Sequence, residues 1–153
     1  PILGFNYGPE KYSRVRQTYR YSVTLCTVIA TIFFICFQFF PHQIVGIFGN
    51  GSDLYFHFAE KYLRIFMLMT FANGIQPMSA CFFTSIGKAR LGVIMSLTRQ
   101  VLFLLPLIVI FPVFFGIDGV MYAGPIADTS AFVLAVVFAR RELGVMKAAE
   151  QNA

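Results

Sequence analysis

The sequence predicts an all-α, polytopic membrane protein of four transmembrane helices, with both termini on the cytoplasmic side. Three observations carry this reading. Long apolar stretches fill the chain: residues 21–40 and 65–86 contain no charge, 91–117 contain only Arg99, and 119–139 contain only Asp128. A run of about 20 such residues crosses a hydrocarbon core of roughly 30 Å. Charged residues make up 12 % of the 153, against 58 % hydrophobic, about half the charge share of a soluble domain. The basic residues also fall in alternate gaps. Lys11, Arg14, Arg16 and Arg20 come first, then Lys88 and Arg90, then Arg140, Arg141 and Lys147, while 41–60 and 111–119 hold no Lys or Arg. Short basic loops stay in the cytoplasm, so this alternation requires four passes. A soluble all-α core is disfavoured, because core helices rarely run 20 residues without a charge on any face.

Taken in order, residues 1–20 are a cytoplasmic connection, with a short basic amphipathic helix over 9–20 lying at the interface. The opening Pro-Ile-Leu-Gly-Phe-Asn-Tyr-Gly reads as the end of a preceding element and predicts a piece of a longer protein. A transmembrane bundle over 21–144 follows, with spans at 21–40, 61–86, 91–114 and 118–140, and a cytoplasmic tail at 145–153. Pro41 ends the first span. Gly46, Gly49, Asn50 and Gly51 cluster as turn formers in the first outer loop. Pro77 and Pro106 predict kinks in the second and third spans, since proline removes a helical hydrogen bond and crowds the preceding turn. Residues 111–119 form the second outer turn. Cys26, Cys36 and Cys81 all fall inside spans, odd in number and without a CxxC pair, and read as small apolar fillers.

Charges within apolar stretches are the most informative residues, because an intramembrane charge marks a partner, a cavity or an ion path. Arg99 lies roughly 13 Å inside the basic boundary and Asp128 roughly 13 Å inside the opposite one, at 1.5 Å per residue. Their depths in a core of about 30 Å therefore nearly match. An Arg99–Asp128 ion pair is one reading. Others are an Arg99 that snorkels to the headgroups beside a solvated Asp128, or an Asp128 that contacts substrate or proton directly. Asn73, Gln76 and Ser79 recur at three-residue spacing on one helix face. With Gln100 and Asp128 they are candidates to line a cavity. Interhelical hydrogen bonding is the other reading of that stripe.

Enzymatic chemistry has little to work with here. His57 and Glu60 are three residues apart without further donors, and His42 stands alone, so a metal site is not expected. The chain shows no nucleophile triad, phosphate loop or paired catalytic carboxylates. The basic 11–20 segment reads as a headgroup-touching surface, not a nucleic-acid patch.

The opening Pro1-to-Gly8 segment followed by Lys11-Tyr-Ser-Arg-Val-Arg16 resembles the cytoplasmic connection after the eighth helix of the multidrug and toxic compound extrusion family. The resemblance continues in order through Ile47-Phe48-Gly49, Gly74 with Gln76, Gly87-Lys88, Arg99-Gln100 with Pro106, and Gly116-Ile-Asp-Gly-Val120 leading to Pro125-Ile-Ala-Asp128. It implies helices nine to twelve, part of one six-helix lobe of a two-lobe transporter. The implied protein sits in a prokaryotic-type plasma (inner) membrane. It works by rocking alternating access, expelling small amphipathic or cationic substrates against sodium ions or protons, with no cofactor. Its partners are lipid and a missing N-terminal lobe. The tenth helix of some members carries an acid, whereas 65–86 here has none, which implies that ion coupling rests outside this chain. Two other functions compete. A lipid-linked saccharide flippase of the same superfamily calls for several midplane cations, and only Arg99 qualifies. A small structural four-helix membrane protein calls for a chain complete in itself.

Overall fold

The computed structural model describes residues 1–49 and 51–151. Asn50, named above as a turn former, and the last two residues of the expected tail lie outside them. The described residues are helical almost throughout, with no strand. In order the elements are α1 (Ile2–Tyr7), α2 (Tyr12–Phe39), α3 (Pro41–Phe48), α4 (Asp53–Phe66), a 3₁₀ segment (Thr70–Gly74), α5 (Ile75–Ser85), α6 (Ala89–Leu97), a π-helical segment (Thr98–Leu104), α7 (Leu105–Phe115) and α8 (Ile117–Gln151). Three runs are long and apolar enough to cross a membrane: Tyr12–Phe39, Ala89–Phe115 and Ile117–Gln151. A fourth arises if α4 and the Thr70–Ser85 run, bent by 49° at their junction, form one broken span.

Several local expectations are revised. The basic segment is not a separate interfacial helix, because α2 runs unbroken from Tyr12. Gly8 and Pro9 stop the chain just before it, and nothing between Tyr12 and Phe39 breaks it. Residues 1–8 are not a plain connection. Ile2–Tyr7 is a short helix that buries Leu3 and packs against α2 and α5. The first outer loop is partly helical, since Pro41 suits a helix start and opens α3, which contains Gly46 and buries Val45. Helix α7 continues through Pro112 to Phe115, so the second outer turn contracts to Gly116, whose φ of 61° a residue with a Cβ rarely adopts. The expected tail from Val145 continues α8 as far as Gln151.

The core lies toward the basic end. Leu3, Val15, Tyr19, Ala80, Phe82, Phe83, Ile86, Met95, Ala135, Ala139 and Met146 form one buried cluster. Tyr19 and Phe82 meet at 4.6 Å between ring centroids.

Helix α8 is the central post, and its sequence explains why. Gly119, Ala123, Ala127, Ala131, Ala135 and Ala139 recur every four residues, and all are buried. Small residues let backbones approach closely where lipid offers no hydrophobic drive. A four-residue step advances about 40° around a helix of 3.6 residues per turn. The stripe therefore winds around α8 and meets different neighbours along its length. Near Gly119 the neighbour is Phe111 of α7, and near Gly124 it is Phe66 of α4. Farther along, α8 packs on the 3₁₀ segment, α5 and α2.

Candidate functional site

Both irregular segments lie just before a proline. Pro77 has no N–H to give the carbonyl of residue 73, and its ring crowds that carbonyl. The backbone before it tightens into the 3₁₀ segment Thr70–Gly74. The 49° bend itself lies farther upstream, between Phe66 and Thr70, and not at the proline. Pro106 likewise cannot donate to residue 102, and the preceding turn widens into the π-helical stretch, where Leu105 N–H reaches the Gln100 carbonyl. Single π turns inside helices often accompany functional sites.

These two segments meet at one carboxylate on α8, three residues past Pro125. Arg99 Nε of the π stretch donates to Asp128 Oδ1 at 2.5 Å. Asn73 Nδ2 of the 3₁₀ segment approaches Asp128 Oδ2 at 3.5 Å, the long limit of a hydrogen bond. The Asp128 side chain is 5 % exposed and that of Arg99 25 %. Asp128 therefore joins a tightened turn, a widened turn and the long helix α8 through a single acid. Its charge is compensated within the chain, which is what an ionised carboxylate inside a bundle requires.

The rest of the polar stripe is placed differently. Gln76 is buried, and its Nε2 donates to the Met95 carbonyl at 2.9 Å. Ser79 is fully buried, with its Oγ 2.7 Å from Tyr19 Oη and 2.8 Å from the Ile75 carbonyl oxygen. These two side chains fasten α5 to α6 and α2. Gln100 is exposed.

Of the stripe, Asn73 alone reaches an open groove of about 420 Å³ between α2 and the break. Thr70 is the other polar residue on its wall, which is otherwise Cys26, Ile29, Ala30, Phe33 and Phe37 on one side and Gly74 and Pro77 on the other. Gly74 makes this seam possible. A Cβ there would stand 2.7 Å from Thr27 N and 2.8 Å from Cys26 C, backbone atoms that cannot give way.

Other pairs were not visible in the sequence. Glu60 pairs with His42 and not with its near neighbour His57: His42 Nδ1 lies 2.7 Å from Glu60 Oε1. His42 is therefore not alone, because α3 folds back beside α4. Lys88 Nζ reaches both oxygens of Glu142 at 2.6 Å, tying the turn before α6 to α8. Glu142 is buried, and nothing in one sequence couples positions 54 residues apart. Among the described residues no group of three or more His, Cys, Asp or Glu could hold a metal ion.

The MatE family profile matches residues 1–110. The chain belongs to the MatE family. It is 25 % identical over 151 residues to the multidrug export protein MepA of Staphylococcus saprophyticus subsp. saprophyticus, covering 97 % of this chain and 33 % of that protein. The solved structure of the MATE multidrug transporter DinF-BH in complex with rhodamine 6G superposes with a TM-score of 0.88 at 34 % identity, over 95 % of this chain and 32 % of that one. An inward-facing and an outward-facing structure of multidrug resistance MATE family transporters of the MOP superfamily share the fold, each at a TM-score of 0.86, with 16 % and 18 % identity. The chain spans about a third of the length of these relatives. It is thus a membrane protein of a multidrug transporter family, a family of transporters and not enzymes.

Proposed function

We propose that this chain supplies helices nine to twelve of the C-terminal lobe of a secondary active efflux antiporter. The whole transporter expels small amphipathic or cationic substrates from a prokaryotic cell in exchange for sodium ions or protons, rocking between inward-open and outward-open states. All basic ends and both ends of the chain then face the cytoplasm. The observation that carries this reading is the match in both sequence and fold to DinF-BH along nearly the whole chain. The flippase reading is not favoured, since Arg99 is the one cation within the apolar stretches and it is spent on Asp128.

In this reading the groove between α2 and the break is part of the substrate wall. Phe33 and Phe37 offer ring faces to an organic cation or an aromatic body, and Asn73 offers a hydrogen bond. Asp128 does not bind the coupling ion. Arg99 already neutralises it, so it serves as the clamp that holds three helices as one moving body. Coupling then rests on residues of the N-terminal lobe. That the same fold fits an inward-facing and an outward-facing structure equally well supports a segment that moves without reshaping.

The test is rhodamine 6G efflux by the full-length transporter in proteoliposomes under a sodium or a proton gradient. Asn73→Ala and Phe33→Ala should raise KM for the dye several-fold and leave the choice of ion unchanged. No effect of either variant on dye transport would remove the groove from the substrate path. The isolated chain should carry no flux, since four helices cannot enclose a two-lobe cavity.

A further inference from the structure

At the basic end a second cavity, of about 570 Å³, opens between the first turns of α2 and the last turns of α8. Its wall is Ser13, Arg16, Gln17, Arg20 and Tyr21 from α2, with Lys147 from α8. Residues 13, 16, 17, 20 and 21 recur at helical spacing, so one face of α2 aims three polar side chains and two guanidinium groups at the same space. Lys147 closes it from across the seam. No carboxylate is on the wall. Glu150 pairs with Arg16 from beside it, which fixes that guanidinium and leaves Arg20 and Lys147 as net positive charge.

The position of the cavity selects the anion. Arg20 is the last charge before the apolar stretch, and Tyr21, 68 % exposed, begins it. The cavity therefore stands at headgroup depth, where tyrosine rings and basic side chains gather. Below it, Leu25, Val28 and Ile32 continue from Tyr21 along the same face of α2, each more than half exposed. A cationic cup that opens directly onto an apolar track matches a phosphate diester with acyl chains attached. A soluble phosphate would use the cup and leave the track empty.

We infer that this cup is a binding site for an anionic glycerophospholipid. Its phosphate sits between Arg20 and Lys147, within hydrogen-bond reach of Ser13 and Gln17, and its acyl chain lies along Leu25, Val28 and Ile32. The site needs only that the chain sit in a bilayer. It is independent of any transport activity, so its test reads binding and not flux.

The experiment is native mass spectrometry of the full-length protein in detergent, titrated with dioleoylphosphatidylglycerol or dioleoylphosphatidylcholine, with inorganic phosphate as competitor. The wild type should retain the anionic lipid in preference to the zwitterionic one. The R20Q/K147Q variant should lose about thirtyfold in affinity for the anionic lipid, roughly fivefold per basic group, and keep its affinity for the zwitterionic one. Arg14→Gln removes a charge from the same segment but off the cup wall, and should change nothing. The proposal is overturned if the wild type shows no preference, if R14Q costs as much as R20Q/K147Q, or if phosphate at millimolar concentration displaces the lipid. Should R20Q/K147Q not fold, the milder S13A/Q17A variant must still weaken the anionic lipid selectively for the site to stand.

Discussion

The two halves of this bundle are built differently. The basic half closes on itself. There α2, α5 and α8 share a buried core, Tyr19 bonds Ser79, and Lys88 bonds Glu142 across the seam. The opposite half opens outward. Neither α4 nor α7 buries a single residue, and Ile47, Phe48, Leu54, Val113, Phe114 and Phe115 are all well exposed. The Asp128 cluster lies between them, where regular helix gives way to the 3₁₀ and π segments. The difference teaches where order comes from. The closed half is held by its own side chains, whereas the open half leaves large apolar side chains uncovered.

The largest expected effect comes from breaking the junction. Asp128→Ala leaves Arg99 without its counter-charge inside the bundle, which should cost about 3–5 kcal/mol and strongly lower the Tm in detergent. Gly74→Ala should follow at about 1–3 kcal/mol. The new Cβ must push α2 off the break and so opens the groove as well as destabilising the fold, visible as faster labelling of Cys26. Within the closed half, Ser79→Ala should cost only about 0.6 kcal/mol, the average for a membrane interhelical hydrogen bond, in the same melting assay. On the open half, Val113→Ala should fall within about 0.5 kcal/mol of wild type in the isolated chain. Under the proposed two-lobe reading, a clear loss for the same change in a full-length transporter would place further protein against α7.

Much of this division is legible in the residues. The spans follow from charge-free length, and Arg99 and Asp128 stand out as charges within apolar runs whose depths can be counted at 1.5 Å per residue. Pro77 and Pro106 announce distortion, but not its form or place. The strain falls on the turn before each ring, and whether that turn tightens or widens depends on neighbours. Ser79 and Gln76 show how a polar stripe misleads. Three-residue spacing gives a shared face, yet only tertiary packing decides whether that face meets a cavity or another helix. The alanine row of α8 is written plainly at every fourth position, but alanine is too common in helices for a single sequence to single it out. Pairs such as His42–Glu60 and Lys88–Glu142 join distant positions and have no local signature.

The most direct measurement is a double-mutant cycle on Arg99 and Asp128, using Leu at each position and thermal unfolding of the full-length protein in nanodiscs. If the pair is a clamp, each single variant loses several kcal/mol, the double variant recovers at least about 2 kcal/mol of the summed loss, and its dye efflux keeps the same ion dependence. Additive losses, or a folded Asp128→Leu protein that has lost ion coupling alone, would contradict it and make Asp128 the coupling site.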